Sequence, residues 1–175
     1  MIRKENLSEN DQLPNGWIIC SLGNILTVKN GYAFKSKDYS DQGINLVRIS
    51  DIKDYRIVST NQVCIPLEKV KSDFWVQQGD LLIAMSGATT GKVGIYNDPN
   101  PSLQNQRVGN FKIKNSSVLH DRFRNFLIFY LRKQFEFTAY GGAQPNISAS
   151  KLESFKVALP PLNEQKRIVA KLEKL

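Results

Sequence analysis

Asn105-Gln106-Arg107 and Gln144-Pro145-Asn146 hold the side-chain types that make paired hydrogen bonds to the edge of a nucleobase. Asn and Gln match adenine in this way, and Arg matches guanine. Lys35, Lys37, Arg48, Ser50, Lys53, Arg56, Thr89, Thr90 and Lys92 supply further donors suited to phosphates or base edges. The same Asn and Gln side chains also satisfy backbone groups in buried loops, which is the commonest local use of Asn. Sequence alone leaves both uses open.

Catalytic constellations fare worse. Gly87-Ala88-Thr89-Thr90-Gly91-Lys92 has three residues between its glycines and Val93 after the lysine. A phosphate-binding loop needs four residues there, then Ser or Thr, then a helix. A hairpin loop fits better. Asp98-Pro99-Asn100-Pro101 lacks the adjacent prolines and aromatic residue of an amino-methyltransferase motif and reads as a turn. Glu164-Gln165-Lys166 resembles the tail of some nuclease signatures but sits at an expected helix start, without a paired strand carboxylate upstream. His120 is the only histidine, and the two cysteines, Cys20 and Cys64, cannot form a zinc site. No catalytic residue and no metal ligand set is expected. The chain reads as a binder.

A chain of 175 residues with 41% hydrophobic and 23% charged residues is long enough for one globular domain without disulfide or metal staples. No apolar run approaches the roughly 18 residues of a membrane span. Met1-Ile2-Arg3-Lys4-Glu5-Asn6 is not a secretory signal, so a reducing cytoplasm is the expected setting and no membrane is expected among the partners. The formal charge is +8. Residues 1–111 carry 12 basic and 11 acidic side chains, whereas 112–175 carry 12 basic and 5 acidic. That asymmetry fits either a solvated basic face or a phosphate-tracking surface.

The elements that must position these residues are mostly strands. Trp17 to Cys20, Ile44 to Ile49, Leu81 to Met85, Val93 to Tyr96, Val108 to Ile113 and Phe155 to Leu159 have strand character, with Ser86 to Gly91 as a hairpin loop. From Asp121 to about Phe137 the period changes. Phe123, Phe126, Leu127, Tyr130 and Leu131 form a helical stripe, with Arg124 nearer its edge and Asp121 as the expected N-cap. Ser150-Lys151-Leu152-Glu153 has capping-box spacing, and Asn163 is expected to cap a last helix. In that helix Ile168, Leu172 and Leu175 begin a heptad seam suited to pairing with another helix.

Several segments together resemble the target-recognition domain of the DNA specificity subunits of type I restriction-modification systems. They are Leu13-Pro14-Asn15-Gly16-Trp17 with Leu22-Gly23-Asn24-Ile25, Val47-Arg48-Ile49-Ser50-Asp51-Ile52, Gly79-Asp80-Leu81-Leu82-Ile83 with Ser86 to Gly91, and Asn105-Gln106-Arg107. The closing runs are the most specific: Gly142-Ala143-Gln144-Pro145-Asn146-Ile147-Ser148, then Leu159-Pro160-Pro161-Leu162-Asn163-Glu164-Gln165. The resemblance implies an α+β fold, a twisted and largely antiparallel sheet with flanking helices followed by the start of a long coiled-coil helix. On this view residues 1–12 are a flexible leader, 13–162 the recognition domain and 163–175 the start of a spacer helix. It further implies double-stranded DNA, adenine methyltransferase subunits and restriction subunits as partners, with S-adenosylmethionine, ATP and magnesium bound by those partners. The chain would read one half-site of a bipartite target, paired with a second recognition domain or a second copy. The competing expectation is a protein-interaction scaffold with non-specific nucleic-acid affinity.

Overall fold

The computed structural model describes residues 13–58, 62–140 and 144–174. The expected leader, Gly142, Ala143 and Leu175 lie outside these described residues.

Among the described residues, eleven strands form three sheets. The largest has the order β2 (Leu26–Asn30), β10 (Val108–Ile113), β7 (Leu81–Ala84), β8 (Val93–Ile95), β4 (Tyr55–Arg56). A second contains β5 (Cys64–Ile65), β3 (Ile44–Val47), β9 (Ser102–Gln104) and β6 (Trp75–Val76) in that order. The remaining pair joins β1 (Ile18–Ser21) to β11 (Lys156–Leu159), clasping the two ends of the described chain. The pairings are antiparallel except β3 with β9 and β4 with β8. The expected single sheet is thus three, with antiparallel pairing dominant.

β7 shows why the sheet sits where it does. All four of its residues are buried, and side chains alternate across a strand. Leu81 and Ile83 enter the main core with Phe111, while Leu82 and Ala84 enter a second cluster with Val47, Ile52 and Val76. A continuous apolar run is therefore a strand covered on both faces. A third cluster, Phe34, Leu46, Ile65 and Leu103, lies within the smaller sheet.

The main face is covered by α2 (Asp121–Ala139), and here the expected stripe is rotated. The buried positions are Phe123, Arg124, Ile128, Leu131, Phe135 and Ala139, whereas Tyr130 is 74% exposed and Phe126 and Leu127 are only half-buried. The cause is Arg124. Its guanidinium donates to the carbonyls of Phe111 and Gly79, which lets a charged residue open the buried face. Burial pushes its pKa down, countered by Asp80 and Asp121. α1 (Leu22–Ile25) and α3 (Ala149–Glu153) pack along the β2 edge, where Glu153 Oε1 accepts the Val28 N–H at 2.8 Å and blunts that edge.

Three expected caps are corrected. His120, not Asp121, occupies the N-cap of α2, because Asp121 already has helical backbone and lies in the first turn. The cap of α3 is Ser148, whose hydroxyl accepts Lys151 N–H, so the Ser150–Glu153 box does not form and Glu153 is used on β2 instead. Helix α4 (Leu162–Leu172) begins after Pro161 rather than at Asn163. Pro161 takes the cap position, and its fixed φ leads directly into the helix.

Candidate nucleic-acid interface

Strand directions determine which loops meet. β3 and β9 run parallel, so both arrive at the same end, and Asn105 N–H donates to the Val47 carbonyl at 3.1 Å. β10 starts at that end beside the finish of β7, where Met85 N–H donates to the Arg107 carbonyl. Residues 48–51, 86–90 and 105–107 are thereby gathered at one end. Residues 144–146 join them. Ser86 bridges Asn146, and Gly87 N–H donates to the Pro145 carbonyl at 3.2 Å.

Two of the candidate donors bind this cluster together. The Thr90 hydroxyl, only 2% exposed with its residue, donates to the carbonyls of Gly87 and Pro145. Thr89 Oγ1 donates to the Ile49 carbonyl at 3.1 Å. Thr90 therefore has an internal role, and the polar surface falls to its neighbours. Asp51 organises the 48–51 turn from inside. It accepts Arg48 N–H at 2.8 Å and the Ser50 hydroxyl at 3.4 Å, and burial raises its pKa against those stabilising bonds.

Over this weave lies an open depression of about 840 Å³ lined by Ser86, Gly87, Ala88, Arg107, Tyr140, Gln144, Pro145 and Asn146. Arg107, Gln144 and Asn146 are exposed, and no acidic side chain among the described residues lines the depression. Gln106 is exposed beside them, while Asn105 is half-buried and its Oδ1 accepts Arg107 N–H at 3.5 Å, a local loop bond. Lys92 stands half-buried at the far side of the 86–92 loop. Lys53 folds its ammonium onto the Ser50 carbonyl, and Arg56 lies exposed on β4 at the sheet edge. Arg48 is half-buried, its Nε 3.7 Å from Asp51. Lys35 and Lys37 sit on a turn whose Asp38 pairs with Lys69 at 2.9 Å, and neither lines the depression.

Tyr140, Tyr32 and Lys71 were not expected. Tyr140, 56% exposed, brings an aromatic ring to the depression from the end of α2. Its sequence signal was an aromatic directly before Gly141-Gly142. Tyr32 is bridged to Asn105, with Lys71 Nζ 5.6 Å from its ring centroid. No local pattern marks that pair.

Part of the basic excess of residues 112–175 is neutralised by pairing or taken into the core. Lys112 pairs with Asp80, Arg122 with Glu173, Arg132 with Asp54 and Glu136, and Arg167 with Glu164, while Arg124 is buried. On α4, Gln165 and Val169 face the protein, Ile168 is half-buried against the main core and Leu172 is 38% exposed. Among the described residues no cluster of three or more His, Cys, Asp or Glu could hold a metal ion, and no helix is long and apolar enough to cross a membrane.

Comparison with known proteins places this arrangement. The profile of the type I restriction modification DNA specificity domain matches residues 14–175. The specificity subunit of the type I restriction enzyme MjaVIII of Methanocaldococcus jannaschii is 26% identical over 176 residues, covering 96% of this chain and 41% of that protein. The EcoAI specificity subunit of Escherichia coli is 30% identical over 174 residues, covering 94% of this chain and 29% of that protein. The crystal structure of the HsdS subunit from Thermoanaerobacter tengcongensis shares the fold, with a TM-score of 0.72 at 21% identity over 96% of this chain and 39% of that one. This chain thus spans about 29–41% of the length of these relatives.

Proposed function

The chain belongs to the type I restriction-modification DNA specificity family, and from that premise we propose that it is a non-catalytic DNA-reading module. It meets duplex DNA with the end of the fold that carries Arg107, Gln144 and Asn146, and it reads one half-site of a bipartite target. The observation that carries this reading is the convergence of four loops, interlocked by Thr89 and Thr90, around an open depression lined by those three side chains. Base readers must be held rigidly, and the weave of backbone bonds beneath them does so. Gln and Asn on one wall and Arg on another can address adenine and guanine respectively.

The same reading assigns the outer partners. Adenine methyltransferase subunits and, through them, restriction subunits assemble on the complex, and S-adenosylmethionine, ATP and magnesium belong to those subunits. The exposed edge of α4 at Leu172, continued from half-buried Ile168, supports pairing with another helix.

Selection from a random duplex pool, followed by sequencing of the bound fraction, tests the reading. A short motif should be enriched. Arg107→Ala should weaken binding to that motif by about 1–3 kcal/mol and relax preference at one position. A bound fraction as random as the input would overturn it.

A further inference from the structure

Beside the depression, on the smaller-sheet side, Tyr32 is fixed with unusual care. Its N–H donates to the Gln104 carbonyl at 2.9 Å and its own carbonyl accepts Gln106 N–H at 2.9 Å. The residue thus brackets Asn105 in the readout loop. The preceding Gly31 makes this approach possible, since a Cβ there would fall on the carbonyl oxygens of Gln104 and Asn105. The ring is held from the sides. Phe34 meets it edge-on at 4.9 Å and Phe74 lies tilted at 5.5 Å, while 38% of the residue stays exposed. Phe74 is itself fixed, because its carbonyl accepts Gln104 N–H at 2.8 Å.

Above this ring sits Lys71. Its ammonium lies 5.6 Å from the Tyr32 centroid and makes no ion pair among the described residues, whereas nearby Lys69 is engaged with Asp38. An exposed lysine loses rotamer freedom when it is fixed. The ring face offsets part of that loss by attracting the cation. The result is a positive charge partly pre-positioned above an aromatic ring whose backbone is bridged to Asn105 in the readout loop.

Resting on the DNA-reading function proposed above, we infer that Tyr32 and Lys71 form a clamp for the sugar–phosphate backbone next to the bases read from the depression. Lys71 is a point charge, which suits a phosphate oxygen and reads no base. The exposed part of the Tyr32 ring offers an apolar surface for a deoxyribose, and its hydroxyl, without a hydrogen-bond partner among the described residues, can donate to the same phosphate. Phosphate contacts set orientation and base contacts set preference. The clamp therefore belongs to affinity and register, and it extends the contact from the larger sheet onto the smaller one.

The experiment measures binding of two labelled duplexes, one carrying the selected motif and one scrambled, over a series of salt concentrations. Lys71→Ala should weaken both duplexes by the same factor, about 3- to 10-fold at low salt, and reduce the slope of log affinity against log salt by about 1. Lys71→Arg should restore the slope. Tyr32→Leu should weaken both duplexes and lower the effect of Lys71→Ala when the two are combined, with circular dichroism showing an unchanged fold. Unchanged binding for Lys71→Ala, alongside altered preference for Arg107→Ala, overturns the clamp and leaves the readout standing. A loss for Lys71→Ala confined to the motif duplex also overturns it, because that is base reading. Absence of duplex binding by the unmodified chain removes the clamp and the readout together.

Discussion

Tyr55 is the only described residue other than glycine with positive φ, at 68°. That conformation costs an L-residue about 1–2 kcal/mol. Its ring repays the strain on α2, meeting Phe129 edge-on at 4.9 Å with the Arg132 guanidinium 5.2 Å from its centroid. Such contacts are worth about 0.5–1.5 and 0.5–1 kcal/mol. Glycine here would remove strain and contacts together, whereas alanine would remove the contacts and keep the strain. Urea midpoints should therefore rank unmodified chain, Tyr55→Gly, Tyr55→Ala, with alanine below glycine by about 1 kcal/mol; alanine matching glycine would refute the strain account. Asp51 gives a pH dependence. Burial raises its folded pKa, so its stabilising contribution is complete below the ordinary carboxylate pKa and is lost as pH rises through the raised value. Asp51→Asn should flatten that decline, and denaturant midpoints from acid to neutral pH should converge at the acid end and favour the variant at the neutral end. Some residues at this scale were legible in sequence and some were not. Arg107 stands out as a polar side chain in a short loop between apolar strands, and Gln144 and Asn146 as polar side chains beside a glycine pair and a proline. Thr90 looks the same in sequence, yet its acceptors at Gly87 and Pro145 exist only once two loops meet. Lys71 was invisible for the same reason, because its partner lies on another loop.

At the scale of elements, one joint holds the interface and another holds α4. The first is the approach of 31–32 to 104–106. Gly31→Ala would place a Cβ on two backbone carbonyls that cannot rotate away, so the Tyr32–Asn105 bridge must open. Overpacking of this kind costs about 1–3 kcal/mol, and hydrogen exchange should show lost protection at Tyr32 and Gln106 before the rest of the sheet. The second joint is Gln165, fully buried at the root of α4. Its Oε1 accepts His120 N–H, and its Nε2 donates to the carbonyls of Val118 and Pro160. Gln165→Leu would strand three backbone groups, a loss of about 2–3 kcal/mol, and should release α4 while leaving the sheet protected. Uniform loss of protection across the chain would show that α4 is instead integral to the core. Element types were readable from period: β7 as a buried strand, α2 as a helix, 86–91 as a hairpin loop. The facing of α2 was not, because Arg124 opens its buried side, and a stripe rule counts arginine as outward. The caps shifted because Ser148, Ser150 and Glu153 offer competing spacings, and the β2 edge takes Glu153.

For the whole molecule, the question is whether +8 acts as one charge or as a local patch. α2 has 19 residues, so its ends lie about 28 Å apart at 1.5 Å per residue. Its start is tied to α4 through Arg122 and Glu173, and its end reaches the depression at Tyr140. Lys166 and Lys171 on α4, with Lys174 just beyond it, therefore lie roughly two to three Debye lengths from the loops at about 0.1 M salt, where that length is about 10 Å. Of the basic side chains near the loops, Arg107, Lys92, Lys53 and Lys71 make no ion pair among the described residues. If these four meet phosphates or bases, log affinity should fall against log salt with a slope of roughly −3 to −4, at about 0.9 per phosphate neutralised. Replacing Lys166, Lys171 and Lys174 together by glutamine should remove three positive charges and leave that slope almost intact. Replacing Arg107, Lys92 and Lys71 should flatten it by about 2–3. The two triple variants remove the same charge from the molecule, so net charge alone predicts equal losses and a local interface predicts unequal ones. Equal losses would return the chain to a diffuse polyanion binder, with the loop weave serving the fold alone.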